Sequence, residues 1–230
     1  GIQFIRINTI YQLYSIVKNN PPLLKIAKTF LMIPDLLNYW LTGEKFVEYT
    51  NATTTQLLDA KKKRWCNEIL EKLDIPIDIF PDIINPGAII GKFNGIDVVA
   101  PATHDTASAI AAGAKVSKDV GYISSGTWSL VGVEVKEPII TKEALKFNFT
   151  NEGGAFNTIT FLRNVQGMWI LECVKKELEM RGKKYSYEDL LTLAKNSDSC
   201  ESFIDPDDPR FLAPTNMIAE INNFPEENNQ

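Results

Sequence analysis

The stretch Asp97-Val-Val-Ala-Pro-Ala-Thr-His-Asp-Thr-Ala-Ser-Ala-Ile-Ala-Ala-Gly-Ala114 decides the fold class of this 230-residue chain. Its first four residues, 97–100, have the apolar character of a short buried strand. Thr106 to Ala114 is rich in small residues and predicts a helix that can pack closely against a sheet. A strand that is followed at once by such a helix is typical of an α/β protein, so we expect this class.

The sequence on either side of this stretch has two different characters. Towards the N-terminus, apolar residues recur at helical spacing, as in Ile10, Leu13, Tyr14 and Val17. Gly43 predicts the end of a further helix, which follows residues 34–35. Towards the C-terminus, residues 120–124 and 128–134 read as two strands of a hairpin, and a third strand and a long helix follow at 159–162 and 165–181. We place the joint at the polar residues 115–118, which predicts one domain at 1–115 and another at 119–230.

The composition indicates the chain's partners and compartment. The chain is 44% hydrophobic and 23% charged, with a net charge of −5 and no basic patch, so we expect it not to bind nucleic acid. It has no apolar run of transmembrane length, which predicts no membrane contact. Cys66, Cys173 and Cys200 are far apart and odd in number, which favours reduced thiols in the cytoplasm and no metal site.

The pair His104-Asp105 is the first candidate for chemistry. It contains the only histidine of the chain, and it lies between the predicted strand and the small-residue helix. Ligands bind at the carboxyl ends of strands in open α/β sheets, and a carboxylate there can accept a proton from a substrate hydroxyl. The alternative is structural, because an aspartate in the first turn of a helix caps its free N–H groups.

The turn Ser125-Gly126-Thr127 is the second candidate. A tight turn with glycine and hydroxyl residues can present backbone N–H groups to a phosphate, although a hairpin needs such residues for its own geometry. Asn164 precedes the long helix and can cap it, and Glu172 can form an i,i+4 pair with Lys176. The Asn-Glu-Gly-Gly sequence at 151–154 can form a turn between strands or a backbone stretch that a ligand approaches closely. The phosphate-loop pattern G-x-x-x-x-G-K-[ST] is absent from the sequence.

Six motifs resemble the FGGY family of carbohydrate kinases. Two are similar to stretches that the family shares, and four resemble its rhamnulokinase branch in particular. In chain order they are Phe30-Leu-Met-Ile-Pro-Asp-Leu-Leu-Asn-Tyr-Trp-Leu-Thr-Gly-Glu44, Tyr49-Thr-Asn-Ala-Thr-Thr-Thr-Gln56, Ala102-Thr-His-Asp-Thr-Ala-Ser-Ala109, Tyr122-Ile-Ser-Ser-Gly-Thr-Trp-Ser-Leu130, Phe149-Thr-Asn-Glu-Gly-Gly154 and Phe203-Ile-Asp-Pro-Asp-Asp-Pro-Arg-Phe-Leu-Ala-Pro214.

The resemblance implies an RNase H-like kinase fold of the actin, hexokinase and Hsp70 kind. It implies transfer of the γ-phosphoryl group of ATP to L-rhamnulose, with Mg²⁺, by an enzyme with two domains. Asp105 then corresponds to the general base, and the residues that match sugar contacts are His104, Asp105, Thr106 and Asn164. Thr127 would touch the ATP phosphates. Glu172 stands where the family usually has a nucleotide-contacting glutamine.

The resemblance also implies that the chain is incomplete. The family's phosphate and adenosine motifs are missing, so we expect the later part of the first, sugar-binding domain and the first half of the second, ATP-binding domain. Such a fragment is expected to be inactive alone and to expose apolar sheet edges, which allow self-association. The alternatives are a kinase for xylulose, fuculose or glycerol, and a non-catalytic remnant that binds a sugar or a partner.

Overall fold

A computed structural model describes residues 1–113, 120–198 and 202–227 of the chain. The chain divides into two compact units, one of residues 1–122 with 131–163 and the other of residues 123–130 with 164–230. The predicted α/β class is confirmed, because helices and strands are mixed in both halves of the sequence. The predicted joint at 115–118 and Cys200 lie outside the described residues.

The helices of the first unit are mostly short and end at recognisable residues. α3 has a proline in its first turn and ends at Gly43, whose φ of 78° is the left-handed conformation that glycine tolerates best. The bounds are α1 Thr9–Asn19, α2 Pro21–Ile26, α3 Ile33–Thr42, α4 Tyr49–Thr54, α5 Asn67–Lys72, α6 Asp105–Gly113 and α7 Lys142–Lys146.

The strands before residue 100 form three separate two-stranded sheets. The six strands are β1 Val47–Glu48, β2 Leu58–Asp59, β3 Arg64–Trp65, β4 Ile83–Ile84, β5 Ile89–Phe93 and β6 Ile96–Val99. β1 and β4 pair in parallel, whereas β2 with β3 and β5 with β6 pair antiparallel. The antiparallel pair β5–β6 has a register shift beside Gly91.

A four-stranded sheet follows, in the order β7-β8-β10-β9. Its strands are β7 Gly121–Ser125, β8 Trp128–Val135, β9 Thr150–Gly153 and β10 Ile159–Gln166. β9 pairs antiparallel with β10, from Thr150 opposite Leu162 to Gly153 opposite Ile159. The predicted hairpin of residues 120–134 is confirmed, because β7 and β8 are neighbours joined by two residues.

The helices of the second unit are α8 Met168–Met180, α9 Tyr187–Asn196 and α10 Met217–Glu227. Phe211, Met217 and Phe224 are buried in a cluster that packs against Ile170 and Val174 of α8. The Glu177 carboxylate accepts hydrogen bonds from the N–H groups of Met217 and Ile218 at the start of α10, so it joins α8 to α10.

Three local expectations are corrected by the structure. The strand predicted to be buried at 97–100 is buried only in part: Val99 of β6 is 48% exposed, whereas Ala100 is buried. β6 forms a two-stranded sheet with β5 and packs one face on the core. Residues 151–153 are not a turn but lie in the buried strand β9. Asn164 does not cap a helix, because it lies within β10 and α8 begins only at Met168.

The core of the first unit consists of apolar side chains from segments far apart in sequence. One cluster contains Leu13, Leu57 and Leu70 with their buried neighbours, and a second contains Val47, Tyr49, Ala52 and Leu58. The second cluster places β1 and α4 beside each other, and α4 in turn contacts β9. In the described parts of the chain, no helix has the length and apolar character needed to cross a membrane.

Candidate active site

Asp105 opens α6 and points its side chain into solvent. Its side chain is 99% exposed, and its Oδ1 atom accepts the Thr106 N–H at 2.8 Å. The preceding residue, His104, is mostly buried, and its carbonyl accepts the Ser108 N–H at 3.2 Å. Ser108 also donates its hydroxyl to the carbonyl of Ala102 at 2.6 Å, so the loop is fixed to the first turn of the helix. The carboxylate therefore stands on a well-supported loop with room for a substrate hydroxyl.

Glu48, which sequence reasoning missed, lies beneath this loop. Its side chain is fully buried. Its carboxylate accepts hydrogen bonds from Thr50 and Asn51 at the start of α4, and from Thr103 in the loop. No signal in the sequence indicated it, because a single glutamate belongs to no periodic pattern and is not one of the preferred N-cap residues.

His104 faces a second buried carboxylate. Its Nδ1 atom lies 3.4 Å from Oε2 of Glu152 on β9. Burial raises the pKa of the Glu152 carboxyl, and the nearby imidazole opposes that rise. The sequence contained Glu152 in a family-like motif, but the expected turn or ligand approach at 151–154 did not identify it as the partner of His104.

Gly153 allows β9 to approach α4 closely enough for this contact. A Cβ atom on Gly153 would lie 2.7 Å from Cε1 of Tyr49 and 3.1 Å from the Cα atom of Thr50. The Gly153 N–H donates to the Thr53 hydroxyl at 2.9 Å, which holds the two segments together. A larger residue would separate them and move Glu152 with the strand.

Asp35 is a third buried carboxyl in the same unit. It lies in the first turn of α3, and its Oδ1 atom accepts the Glu48 N–H at 3.1 Å. Burial, with a further contribution from the Glu48 charge, raises the pKa of Asp35 to about 7, although hydrogen bonds from backbone N–H groups oppose the shift. Asp35 therefore holds the backbone of Glu48, while the Glu48 side chain holds the loop that contains Thr103.

The second unit contains the other predicted contacts, beginning with the tip of the β7–β8 hairpin. Thr127 is exposed there, and its carbonyl accepts the N–H groups of Gly167 and Trp169 at 3.1 and 3.2 Å. The Gly126 carbonyl accepts the Met168 N–H at 2.9 Å. The carbonyl groups of the tip thus accept hydrogen bonds from the otherwise free N–H groups at the start of α8.

The expectation of open N–H groups at the tip holds only in part. The Gly126 N–H donates to the Trp128 carbonyl at 2.8 Å, so it is not available to a phosphate. The exposed hydroxyl of Thr127 remains suited to such a contact.

Asn164 and Glu172 lie at different places in the second unit. Asn164 is half-buried in β10, whereas Glu172 is exposed on α8 and lines a groove of about 670 Å³. Trp169, Cys173 and Pro214 are among the other residues of this groove. Glu172 forms no ion pair with Lys176 among the pairs of the described residues, so the predicted i,i+4 contact is not made.

The structure therefore brings together the predicted site residues of the first unit and separates those of the second unit. His104, Asp105 and Thr106 are consecutive, and buried carboxylates support them from two sides. Thr127 lies at the hairpin tip, where its carbonyl accepts N–H groups at the start of α8. Glu172 lies further along that helix, and Asn164 precedes it in β10. Within 1–113, 120–198 and 202–227, no three His, Cys, Asp or Glu residues form a group that could hold a metal ion.

Comparison with known proteins gives matches in both halves of the chain. Residues 1–109 match the N-terminal domain of the FGGY family of carbohydrate kinases, and residues 121–229 match the C-terminal domain of that family. The rhamnulokinase of Halalkalibacterium halodurans is 47% identical over 100% of this chain and 50% of its own length. The Bacillus subtilis rhamnulokinase is 44% identical over 97% of this chain and 47% of its own length. The chain thus spans about half the length of these relatives.

Solved structures agree at the level of the fold. A xylulose kinase from Lactobacillus acidophilus superposes with a TM-score of 0.71 at 20% identity, over 86% of this chain and 41% of its own. A gluconate kinase from the same organism gives 0.72 at 20% identity, over 86% of this chain and 42% of its own. These structures share the predicted kinase fold, of which this chain covers a part. From the two domain matches and the relatives together, the chain belongs to the FGGY family of carbohydrate kinases.

Proposed function

We propose that the enzyme containing this chain transfers the γ-phosphoryl group of ATP to O1 of L-rhamnulose. The observation that carries the proposal is the exposed Asp105 carboxylate on a loop that buried hydrogen bonds hold in place. The identity of 47% to a rhamnulokinase over the whole chain supports the choice of sugar.

Asp105 acts as the general base in this reaction. Its carboxylate accepts the proton of the sugar hydroxyl while the hydroxyl oxygen forms a bond to the γ-phosphorus and the bond to the β-phosphate oxygen breaks. ADP leaves with the electron pair of that bond. Because phosphoryl transfer depends mainly on positioning and charge neutralisation, a fixed loop with a free carboxylate is a suitable arrangement.

The remaining roles follow from the family pattern and from what each group offers here. His104, Thr106 and Asn164 contact the sugar. Thr127 contacts the ATP phosphates through its exposed hydroxyl, and Mg²⁺ neutralises those phosphates when bound. Glu172 lies on the nucleotide side, where a cation or water must separate its carboxylate from phosphate.

We assign sugar binding to the domain of residues 1–115 and ATP binding to the domain of residues 119–230. The matches to the family's N-terminal and C-terminal domains at 1–109 and 121–229 support this division. We expect the enzyme to act in the cytoplasm.

A non-catalytic remnant that holds a sugar or a partner is the second candidate. It is favoured by one observation, namely that the Gly126 N–H donates to the Trp128 carbonyl and is not open to a phosphate. The two candidates differ in whether the full-length polypeptide that contains this chain turns over ATP.

An assay of ADP release with L-rhamnulose, xylulose, fuculose and glycerol tests the proposal in that full-length polypeptide. We expect turnover with rhamnulose, a fall in kcat of about 10²–10⁴-fold for Asp105→Asn, and a smaller effect on sugar affinity. Asp78→Asn, at an exposed position, is the matched control. Parental rates in Asp105→Asn contradict the base assignment, and preference for another sugar removes only the substrate. Turnover by this chain alone contradicts the expected inactivity of the chain.

A further inference from the structure

We propose that Glu48 is a positioning residue for Asp105, because its buried carboxylate fixes the backbone of the loop that carries the base. The inference rests on the proposed function, in which Asp105 accepts the sugar proton. Glu48 touches neither substrate in this proposal and acts through Thr50 and Thr103.

The contacts of Glu48 use both of its carboxylate oxygens. Oε1 accepts the Thr50 N–H at 2.9 Å. Oε2 accepts the Thr50 hydroxyl at 2.5 Å, the Asn51 N–H at 3.3 Å, and the N–H and hydroxyl of Thr103 at 2.9 and 2.8 Å. A shell of five donors suits a carboxylate, which offers acceptors only, and the full burial of Glu48 excludes water as a substitute.

Two consecutive amides of the loop depend on this carboxylate. The Thr103 N–H donates to Glu48 directly, and the His104 N–H donates to the Thr50 hydroxyl at 3.1 Å. Because that hydroxyl donates to Glu48 in turn, one carboxylate fixes both residues before Asp105. Asp105 has no buried contact of its own side chain, so its position comes from the backbone that precedes it.

Capping of α4 accounts for only part of the arrangement. A cap needs bonds to Thr50 and Asn51, which are two and three residues away. The two hydrogen bonds to Thr103 span 55 residues and contribute nothing to capping the N-terminus of α4. The Thr103 hydroxyl is therefore the group whose removal separates loop positioning from helix capping.

Three variants of the full-length polypeptide test the proposal by kinetics. Glu48→Gln puts an amide donor against N–H and hydroxyl donors, and we expect a fall in kcat of about 10²-fold with the KM for ATP nearly unchanged. Thr103→Val removes only the hydroxyl, and we expect a fall of about tenfold. Thr103→Ser restores the hydroxyl and is expected to restore most of the rate.

A second measurement does not depend on turnover. Hydrogen exchange of the Thr103 and His104 amides, measured in this chain, should accelerate in Glu48→Gln and Thr103→Val but not in Thr103→Ser. His104 is the only histidine of the chain, so its imidazole NMR signals report the loop without overlap. If Asp105→Asn retains activity, the assignment of Asp105 as the base fails, while these signals still show whether Glu48 holds the loop.

The proposal is overturned if Thr103→Val keeps both the parental kcat and the parental amide exchange. It is also overturned if Thr103→Ser is as slow as Thr103→Val, since the hydroxyl would then not be the cause. If Glu48→Gln does not fold, the comparison of Thr103→Val with Thr103→Ser still tests the proposal. In both of those variants the Glu48 carboxylate keeps its donors on Thr50 and Asn51.

Discussion

The imidazole Nδ1 atom of His104 lies 3.4 Å from Oε2 of Glu152, a residue 48 positions later in the chain. β9 carries Glu152 to this position, and the close packing of Gly153 on Tyr49 brings the strand there. The relationship places a buried acid behind the histidine that precedes the proposed base. It leads to the first prediction.

Glu152→Gln should raise the KM for the sugar about tenfold in the full-length polypeptide, with a smaller change in kcat. The neutral amide keeps the volume of the side chain but removes the carboxylate whose Oε2 atom lies 3.4 Å from the imidazole. A tenfold rise in KM corresponds to about 1.4 kcal/mol of sugar binding. Steady-state kinetics with varied sugar measure the change. Glu71→Gln, at an exposed position, is the control, and an unchanged KM would show that Glu152 does not orient His104.

Asp35→Asn should flatten the dependence of stability on pH. The pKa of Asp35 is raised from 3.8 to about 7, so the folded state binds the proton more tightly than the unfolded state. The free energy of unfolding therefore falls as pH rises from about 4 to about 7, and the penalty is fully present above pH 7. Relative to the parent, the variant should gain on the order of 1 kcal/mol between pH 5 and pH 8.

Urea unfolding at the two pH values measures this difference. Asp78→Asn, which removes an exposed carboxylate, should leave the slope of the parent unchanged. Equal slopes for the parent and Asp35→Asn would mean that Asp35 does not titrate in this range.

Gly153→Ala should destabilise the first unit by about 1–3 kcal/mol. The added methyl group would lie 2.7 Å from the Tyr49 ring and 3.1 Å from the Thr50 backbone, and a backbone atom cannot move aside cheaply. Gly113→Ala is the control, because no heavy atom lies within 4 Å of the added methyl and alanine favours the helix. Thermal unfolding compares them, and equal stability of the two variants would refute the close-packing argument.

Thr127→Val should raise the KM for ATP several-fold, with the sugar KM nearly unchanged. Valine keeps the shape of the side chain and removes the exposed hydroxyl, which is suited to a phosphate contact. Thr192→Val, at an exposed position of α9 outside the β7–β8 turn, is the matched control. A larger effect on the sugar KM than on the ATP KM would contradict the assignment.

Local sequence determined much of the secondary structure and the family. Gly43 predicted the end of α3, and the pattern around Gly126 predicted the β7–β8 hairpin. Both follow from turn chemistry within a few residues, where glycine tolerates conformations that other residues avoid. The six family-like motifs identified the kinase family before any contact was known, because they recur in a fixed order along the chain.

The tertiary structure alone decided what surrounds the proposed base. Glu48 meets Thr103 across 55 positions, and Glu152 meets His104 across 48. Neither contact leaves a periodic pattern, because periodicity reports which face of one element is apolar and not which distant element packs there. The prediction of a buried strand was wrong at β6 for the same reason. The strand is rich in apolar residues, but it is largely exposed because it forms a two-stranded sheet with β5. The order of the motifs therefore fixed the family, whereas long-range packing of α4 and β9 placed the two buried acids behind His104 and Asp105.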